Sequence, residues 1–416
     1  MNQAAKRFRS LIFVWRFASA LALAYACFVR PVYLDYNATT PLDPQVHEAM
    51  LPFMGEIFGN PSSIHQLGRR ARSLLDDARD RVANVWKAKP SEVVFTSGGT
   101  ESNNLAIFGT ARLLRDQGRH LITSSIEHHA VLHAFRYLEK YEGFQVTYLP
   151  VNRDGVVELA SVSAALRPDT ILVSIMAANN ETGSLQPAAE IGALCRARGI
   201  IFHTDAVQWF GKMPFASIHQ FNADLVSVCS HKFHGPKGAG ALFIKSPLLP
   251  HPIMVGGGQE NERRAGTENL PAIIGFTRAL ELFVVDPVFA SPQLSPLAAR
   301  LTALADSLPG VAVQGSRSAR LPNTVAVSIE GTDSIVLLAG LDLEGVCASS
   351  GSACSAGSLE PSHVLSAMGV GTALASSLVR FSLGRENTAE EISLVEQVLP
   401  RIIARIRATN NSGVLR

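Results

Sequence analysis

The sequence predicts an α/β protein in which a large domain with a mainly parallel sheet flanked by helices precedes a smaller α+β domain. Three observations carry this expectation. From Val93 onward, short apolar runs alternate with helical patterns, as β-α-β chains do. A Pro- and Ser-rich patch, Asp286 to Pro296, then interrupts the pattern and reads as a linker. The length of 416 residues allows two or three domains at about 150 residues each.

Taken in order, the expected strands are Val93–Phe95, His120–Thr123, Gln145–Leu149, Ile171–Met176, Ile200–Phe202 and Leu225–Val228. Each is a short apolar or β-branched run, the kind of segment a sheet buried on both faces requires. Asn103–Arg115 and Ala188–Arg198 read as intervening helices. After the linker, a helix over Leu297–Ser307, a strand over Thr324–Ile329 and a final helix complete the chain. There is no internal repeat.

Composition closes several functional classes. Hydrophobic residues make up 47% and charged residues 17%, which excludes a charge-rich disordered chain. Lys and Arg number 37 against 35 Asp and Glu, a net charge of +2 that does not suit direct nucleic-acid binding. The five cysteines, Cys27, Cys195, Cys229, Cys347 and Cys354, are scattered and form no C-x-x-C pair. That argues against a disulfide scaffold or a structural metal site, and for a reducing, cytoplasmic setting. Cys195 and Cys347 read as small buried hydrophobes.

Residues 1–30 stand apart as a basic, acid-free extension that is apolar from Leu11 to Val29. Three readings stay open: a secretory signal, an organellar transit peptide, or a translation start placed too far upstream. The first two would move the protein to an exported or organellar location. A membrane span is not expected, because the run after Arg16 is shorter than the roughly 20 residues a bilayer requires.

The chemistry concentrates at three strand ends. Val93–Thr96 runs into Ser97-Gly98-Gly99-Thr100-Glu101-Ser102-Asn103, which is either an ordinary strand-to-helix turn or a phosphate cradle of backbone N–H groups. Asp205, in His203-Thr204-Asp205-Ala206-Val207-Gln208, is either a helix cap or an acid at a ligand-binding edge. Lys232 follows the run Leu225–Val228, where desolvation lowers a lysine's pKa and suits it to Schiff-base chemistry. Together these pieces match the needs of pyridoxal phosphate: a cradle for its phosphate, an acid for its ring nitrogen and a lysine for its aldehyde.

From Tyr33 to about Glu396 the chain resembles the NifS-like cysteine desulfurases, within the class-V aminotransferase group of fold-type I pyridoxal-phosphate enzymes. The resemblance is carried by Tyr33-Leu34-Asp35-Tyr36-Asn37-Ala38-Thr39-Thr40-Pro41, Gly59-Asn60-Pro61-Ser62-Ser63, the Ser97–Asn103 loop and Glu127-His128-His129-Ala130-Val131. It continues through Asn179-Asn180-Glu181-Thr182-Gly183, the Asp205 and Lys232 segments, Arg264-Ala265-Gly266-Thr267-Glu268-Asn269, Ser350-Gly351-Ser352-Ala353-Cys354 and Arg380-Phe381-Ser382-Leu383-Gly384.

The resemblance implies a seven-stranded sheet in a large cofactor-binding domain over residues 42–288. Residues 31–41 with 289–416 would form the small domain that carries a catalytic cysteine loop. It implies that Lys232 holds the cofactor and moves protons, Asp205 pairs with the ring nitrogen and His128 stacks on the ring. Gly99, Thr100 and His231 would hold the phosphate, with Thr267 supplied across a homodimer. Gln208 would reach the phenolic oxygen, and Arg380, with Asn180 beside it, would clamp the substrate carboxylate.

Cys354 lies in a stretch of small residues too polar to pack a core, and the resemblance makes it the persulfide-forming nucleophile. The implied reaction converts L-cysteine to L-alanine. The sulfur would pass to an acceptor protein for iron–sulfur assembly or for thiolation of cofactors or tRNA. Selenocysteine cleavage and transamination are the nearest alternatives, and a thiol nucleophile argues against the second. One departure stands out. The position three before the lysine, a phosphate-binding serine in the family, is Cys229 here. A thiol is the poorer donor, so either the phosphate is held less tightly or Ser230 substitutes.

Overall fold

The computed structural model describes residues 31–351 and 360–411; the amino-terminal extension and Cys354 lie outside them. Twelve strands occur among the described residues: β1 (Val32–Tyr33), β2 (Val93–Thr96), β3 (His120–Ser124), β4 (Gln145–Leu149), β5 (Thr170–Ser174), β6 (Ile201–Asp205), β7 (Leu225–Cys229), β8 (Gly240–Ile244), β9 (Val311–Gln314), β10 (Thr324–Ile329), β11 (Val346–Cys347) and β12 (Leu378–Ser382). Seven of them form one sheet in the order β2-β8-β7-β6-β5-β3-β4. All neighbouring pairs are parallel except the two made by β8, which runs against β2 and β7.

Every residue of β2, β3, β5, β7 and β8 is buried, as expected of a sheet with helices on both faces. The 21-residue helix Gln66–Trp86 buries Ala71, Leu75, Ala78, Val82 and Trp86, a three- and four-residue spacing that makes one apolar stripe. It begins on the His65 side chain, which accepts from the Gly68 N–H, and ends on Lys87 in the left-handed conformation. Its stripe belongs to the core around the sheet, with Phe202, Phe243 and Phe276. A second core gathers Leu34, Tyr36, Phe289, Val325, Val379 and Ile402. That core covers the antiparallel sheet β12-β10-β9. Beside it, β1 pairs in parallel with β11, which ties residues 32–33 to residues 346–347.

Four departures from the sequence expectations have physical causes. The strand expected over Ile200–Phe202 runs on to Asp205, because polar His203 is buried between Ser174 and Ser227, whose hydroxyls lie 2.7 and 3.0 Å from its ring nitrogens. β8, an antiparallel strand, was hidden behind the Gly/Pro turns that precede it. The patch Asp286–Pro296 is not an open linker: Phe289 is fully buried and a helix already starts at Leu294. Cys347 is only half-buried on the short β11, whereas Cys195 is enclosed and its thiol is pushed up to about 12 by burial.

Burial holds the His203 imidazole down at about 3. Its folded value is thus depressed below the unfolded one, so the unfolded chain binds the extra proton as pH falls below about 6.5. The stability this neutral ring contributes is present above that pH and is lost on the way down toward 3. At pH 5 the loss is about 2 kcal/mol. His203→Gln should therefore show a smaller fall in Tm between pH 7 and pH 5 than the parent protein; an equal fall would assign the acid sensitivity elsewhere.

Candidate active site

The carboxyl ends of β2, β6 and β7 open onto a cavity of about 230 Å³. Its walls include Asn37, Gly99, Thr100, Asn103, His128, Asn180, Asp205, Gln208, Cys229, His231, Lys232 and Arg380. Residues far apart in the chain therefore meet where parallel sheets place their ligands.

β2 leads into the helix Gly99–Leu113, whose amino terminus has no side-chain cap. Its first N–H groups and the helix dipole are thus left for an anion. Gly98 has φ +149°, and a Cβ on Gly99 would stand 2.8 Å from Val207 Cγ2, so this approach requires glycines. Gly99→Ala should shift the helix terminus away from the cavity at about 1–3 kcal/mol of strain, which should weaken the binding of an anion there about tenfold or more. Titration with inorganic phosphate measures it; unchanged affinity would remove Gly99 from the cradle.

At the end of β6, the Asp205 carboxylate accepts from Asn103 Nδ2 at 2.7 Å and from the Val207 N–H at 3.0 Å. Burial pushes its pKa up, against the opposing effect of those donors and of Lys232. A buried carboxylate in this condition gains most from a cationic partner. β7 ends in a single tight turn, Ser230–Lys232. Lys232 Nζ donates to the carbonyls of Asn37 at 2.7 Å and Ala38 at 2.8 Å. Gln208 Nε2 donates to the same Asn37 carbonyl at 2.9 Å.

His128 starts the helix His129–Glu142, and its Nδ1 accepts the Ala130 N–H at 3.1 Å. Burial, then the Lys232 charge and the neighbouring histidines, hold it near 4, so the ring is neutral at pH 7. His231 is likewise pulled down to about 3 by burial and by Lys232. Its Nδ1 lies 3.2 Å from Thr39 Oγ1.

Arg380 is almost fully buried on β12. Its Nη1 donates to the Asn180 and Gly351 carbonyls at 2.8 Å, and its Nη2 pairs with Asp35 Oδ1 at 2.7 Å. Its Nε has no partner among the described residues. Gly351 is the last of three described residues of the Ser350–Cys354 motif's approach, Ser349 and Ser350 preceding it; Cys354 itself lies outside the described residues.

Two sequence expectations are sharpened. Ser230 does not stand in for the missing serine hydroxyl, since its Oγ donates to the carbonyls of Pro236 and Ala239. Cys229 is the residue at the cavity wall, and burial pushes its thiol up to about 11. Thr267 is exposed and does not line the cavity of its own chain. Nearby, Arg264 pairs with Glu101 at 2.7 Å and ties that loop to the Gly99 helix.

Asn37, Ala38, Asn103 and Asp35 were given no role from sequence. Asn37 and Lys232 are 195 positions apart, and no local pattern announces such a contact. Among the described residues there is no group of three or more metal-binding side chains, and no helix is long and apolar enough to cross a membrane.

Fold and cavity together define a lysine-centred α/β enzyme with an anion cradle and a buried acid. The class-V aminotransferase family matches residues 32–395, and the chain belongs to that family, among its NifS-like cysteine desulfurases. Cysteine desulfurase IscS of Dictyoglomus turgidum is 48% identical over 386 residues, covering 91% of this chain and 96% of the relative. A solved NifS-like protein superposes with a TM-score of 0.82 at 37% identity, covering 92% of this chain and all of its own. SspA, solved in complex with cysteine, gives a TM-score of 0.74 at 37% identity over 86% of this chain and 100% of that one.

Proposed function

We propose that this protein binds pyridoxal 5′-phosphate on Lys232 and converts L-cysteine to L-alanine, transferring the sulfur to Cys354. The observation that supports it best is the convergence of Lys232, Asp205 and the uncapped helix terminus at Gly99 on one cavity. The donor set fits the cofactor: an amine for the aldehyde, a buried carboxylate for the ring nitrogen and open N–H groups for the phosphate. When bound, the cofactor supplies an electron sink for the substrate carbons.

The protein's own residues then divide the work. Gly99, Thr100 and His231 hold the phosphate, Thr267 reaches it from a second copy of the chain in a homodimer, and Gln208 donates to the phenolic oxygen. His128 covers the ring. Lys232 would hold the cofactor and would move protons at the substrate carbon. Arg380, which lines the cavity, binds the substrate carboxylate beside Asn180. The Cys354 thiolate attacks the substrate Sγ; the carbon–sulfur bond breaks, its electron pair stays with the substrate carbon, and a proton completes alanine. One L-cysteine and one thiol thus give one alanine and one persulfide.

We assign the cofactor-binding part to residues 42–288 and the part bearing Cys354 to 31–41 with 289–416, following the two cores. A persulfide on Cys354 calls for an acceptor protein that feeds iron–sulfur assembly or thiolation, and for a reducing compartment such as the cytoplasm. Borohydride reduction of the purified holoprotein followed by peptide mass spectrometry tests the assignment. The reduced cofactor should sit on Lys232; finding it on Lys237 or elsewhere overturns the reading.

A further inference from the structure

Behind the cavity wall lies a second lysine that the proposed reaction does not use. Lys212 is fully buried, and its Nζ donates to Gln208 Oε1. Its stem is aimed from both sides. Gly211 adopts φ +76° where a Cβ would come within 2.6 Å of Phe233 Cβ. The Phe289 N–H donates to the Gly211 carbonyl at 3.0 Å, and the Phe289 ring centroid lies 5.6 Å from Nζ. No carboxylate forms an ion pair with Lys212 among the described residues. Burial, then repulsion by Lys232 and Arg380, holds its pKa well below the usual lysine range. An amine in that state is no surface charge, yet it keeps N–H donors.

Gln208 is buried at the cavity edge with two distinguishable ends. The Asn37 carbonyl can only accept, so it takes Nε2; Oε1 is left inside the protein and needs a donor. Lys212 is that donor. We propose that Lys212 is a positioning residue for the reaction: by satisfying Oε1 it locks the Gln208 amide, so that the second N–H of Nε2 is offered to the cofactor. The same Asn37 carbonyl receives Lys232 Nζ, so the lock also fixes the backbone against which the catalytic amine rests. This inference rests on the cofactor reading above.

A double-mutant cycle tests it, with apoprotein titrated by pyridoxal phosphate and the absorption band of the lysine-bound cofactor recorded. Lys212→Met orphans a buried acceptor, and should weaken cofactor binding about tenfold and shift the band. In a Gln208→Ala background the same substitution should change affinity by less than about twofold, because the amide it orients is gone. A full effect of Lys212→Met in that background, or none in the parent, overturns the inference. If Lys212→Met does not fold, Gln208→Glu decides: it still accepts from Lys212 but has no N–H to offer, and should bind the cofactor about tenfold more weakly. Normal binding by that variant overturns the inference. A parent protein that binds no pyridoxal phosphate would instead overturn the functional reading itself.

Discussion

Cys354→Ser should retain the yellow cofactor and still respond spectrally to L-cysteine, while alanine formation falls below about one-thousandth of the parent rate. Under the proposed function, cofactor capture draws on Lys232, Asp205 and the Gly99 helix terminus, and substrate capture on the aldehyde and Arg380, none of which involves the thiol. Only sulfur abstraction requires it, because the attacking group must be a thiolate, and a serine hydroxyl is un-ionised at neutral pH. The other cysteines do not replace it. Cys195 is enclosed in the core, and Cys229, although at the cavity wall, is held protonated by burial. Persulfide detection on intact protein, run with alanine measurement, reads both halves of the prediction. Near-parental alanine from the serine variant would favour a lyase or transaminase reaction in which Lys232 and the cofactor suffice.

Lys232→Ala should be inactive for a different reason. Under the proposed function it removes the covalent anchor and the proton carrier together, and general acid–base catalysis alone is worth about 100- to 10,000-fold. The loss should not be rescued by Lys237, which stands five residues on beyond the Gly/Pro turn and lines no part of the cavity. Nor should it be rescued by Lys212, whose amine is fully buried on Gln208. The variant should also change in folding stability, since Lys232 Nζ bridges to the carbonyls of Asn37 and Ala38. Turnover above about one-hundredth of the parent rate would place the anchor elsewhere.

The strand-end chemistry was legible because each reactive group closely follows an apolar run: Gly99 after Val93–Thr96, Asp205 after Ile200–Phe202, Lys232 after Leu225–Val228. Such runs have one placement in a parallel sheet, and their carboxyl ends share an edge. The element β10 was legible for the same reason, and its bounds match the expected Thr324–Ile329. What stayed hidden depends on contacts between distant segments. Asn37 carries its carbonyl to Lys232 and Gln208, and Asp35 meets Arg380 across 345 positions, from a stretch whose motif gives no reason for either. Nothing in the local sequence marks Lys212 as buried; the ring of Phe289, from a patch that reads as a linker, lies 5.6 Å from its Nζ. The Gly99 helix began earlier than expected, since its Gly-Gly-Thr start carries loop residues that the open cavity, not helix propensity, explains.

The most direct test of the central claim is an assay of the purified holoprotein with L-cysteine under reducing conditions, with alanine, sulfide and pyruvate all quantified. Alanine should form in equal amount to the sulfur released or bound as persulfide, with no pyruvate. Pyruvate and ammonia in place of alanine, or no consumption of cysteine by protein carrying its full complement of cofactor, would contradict the account.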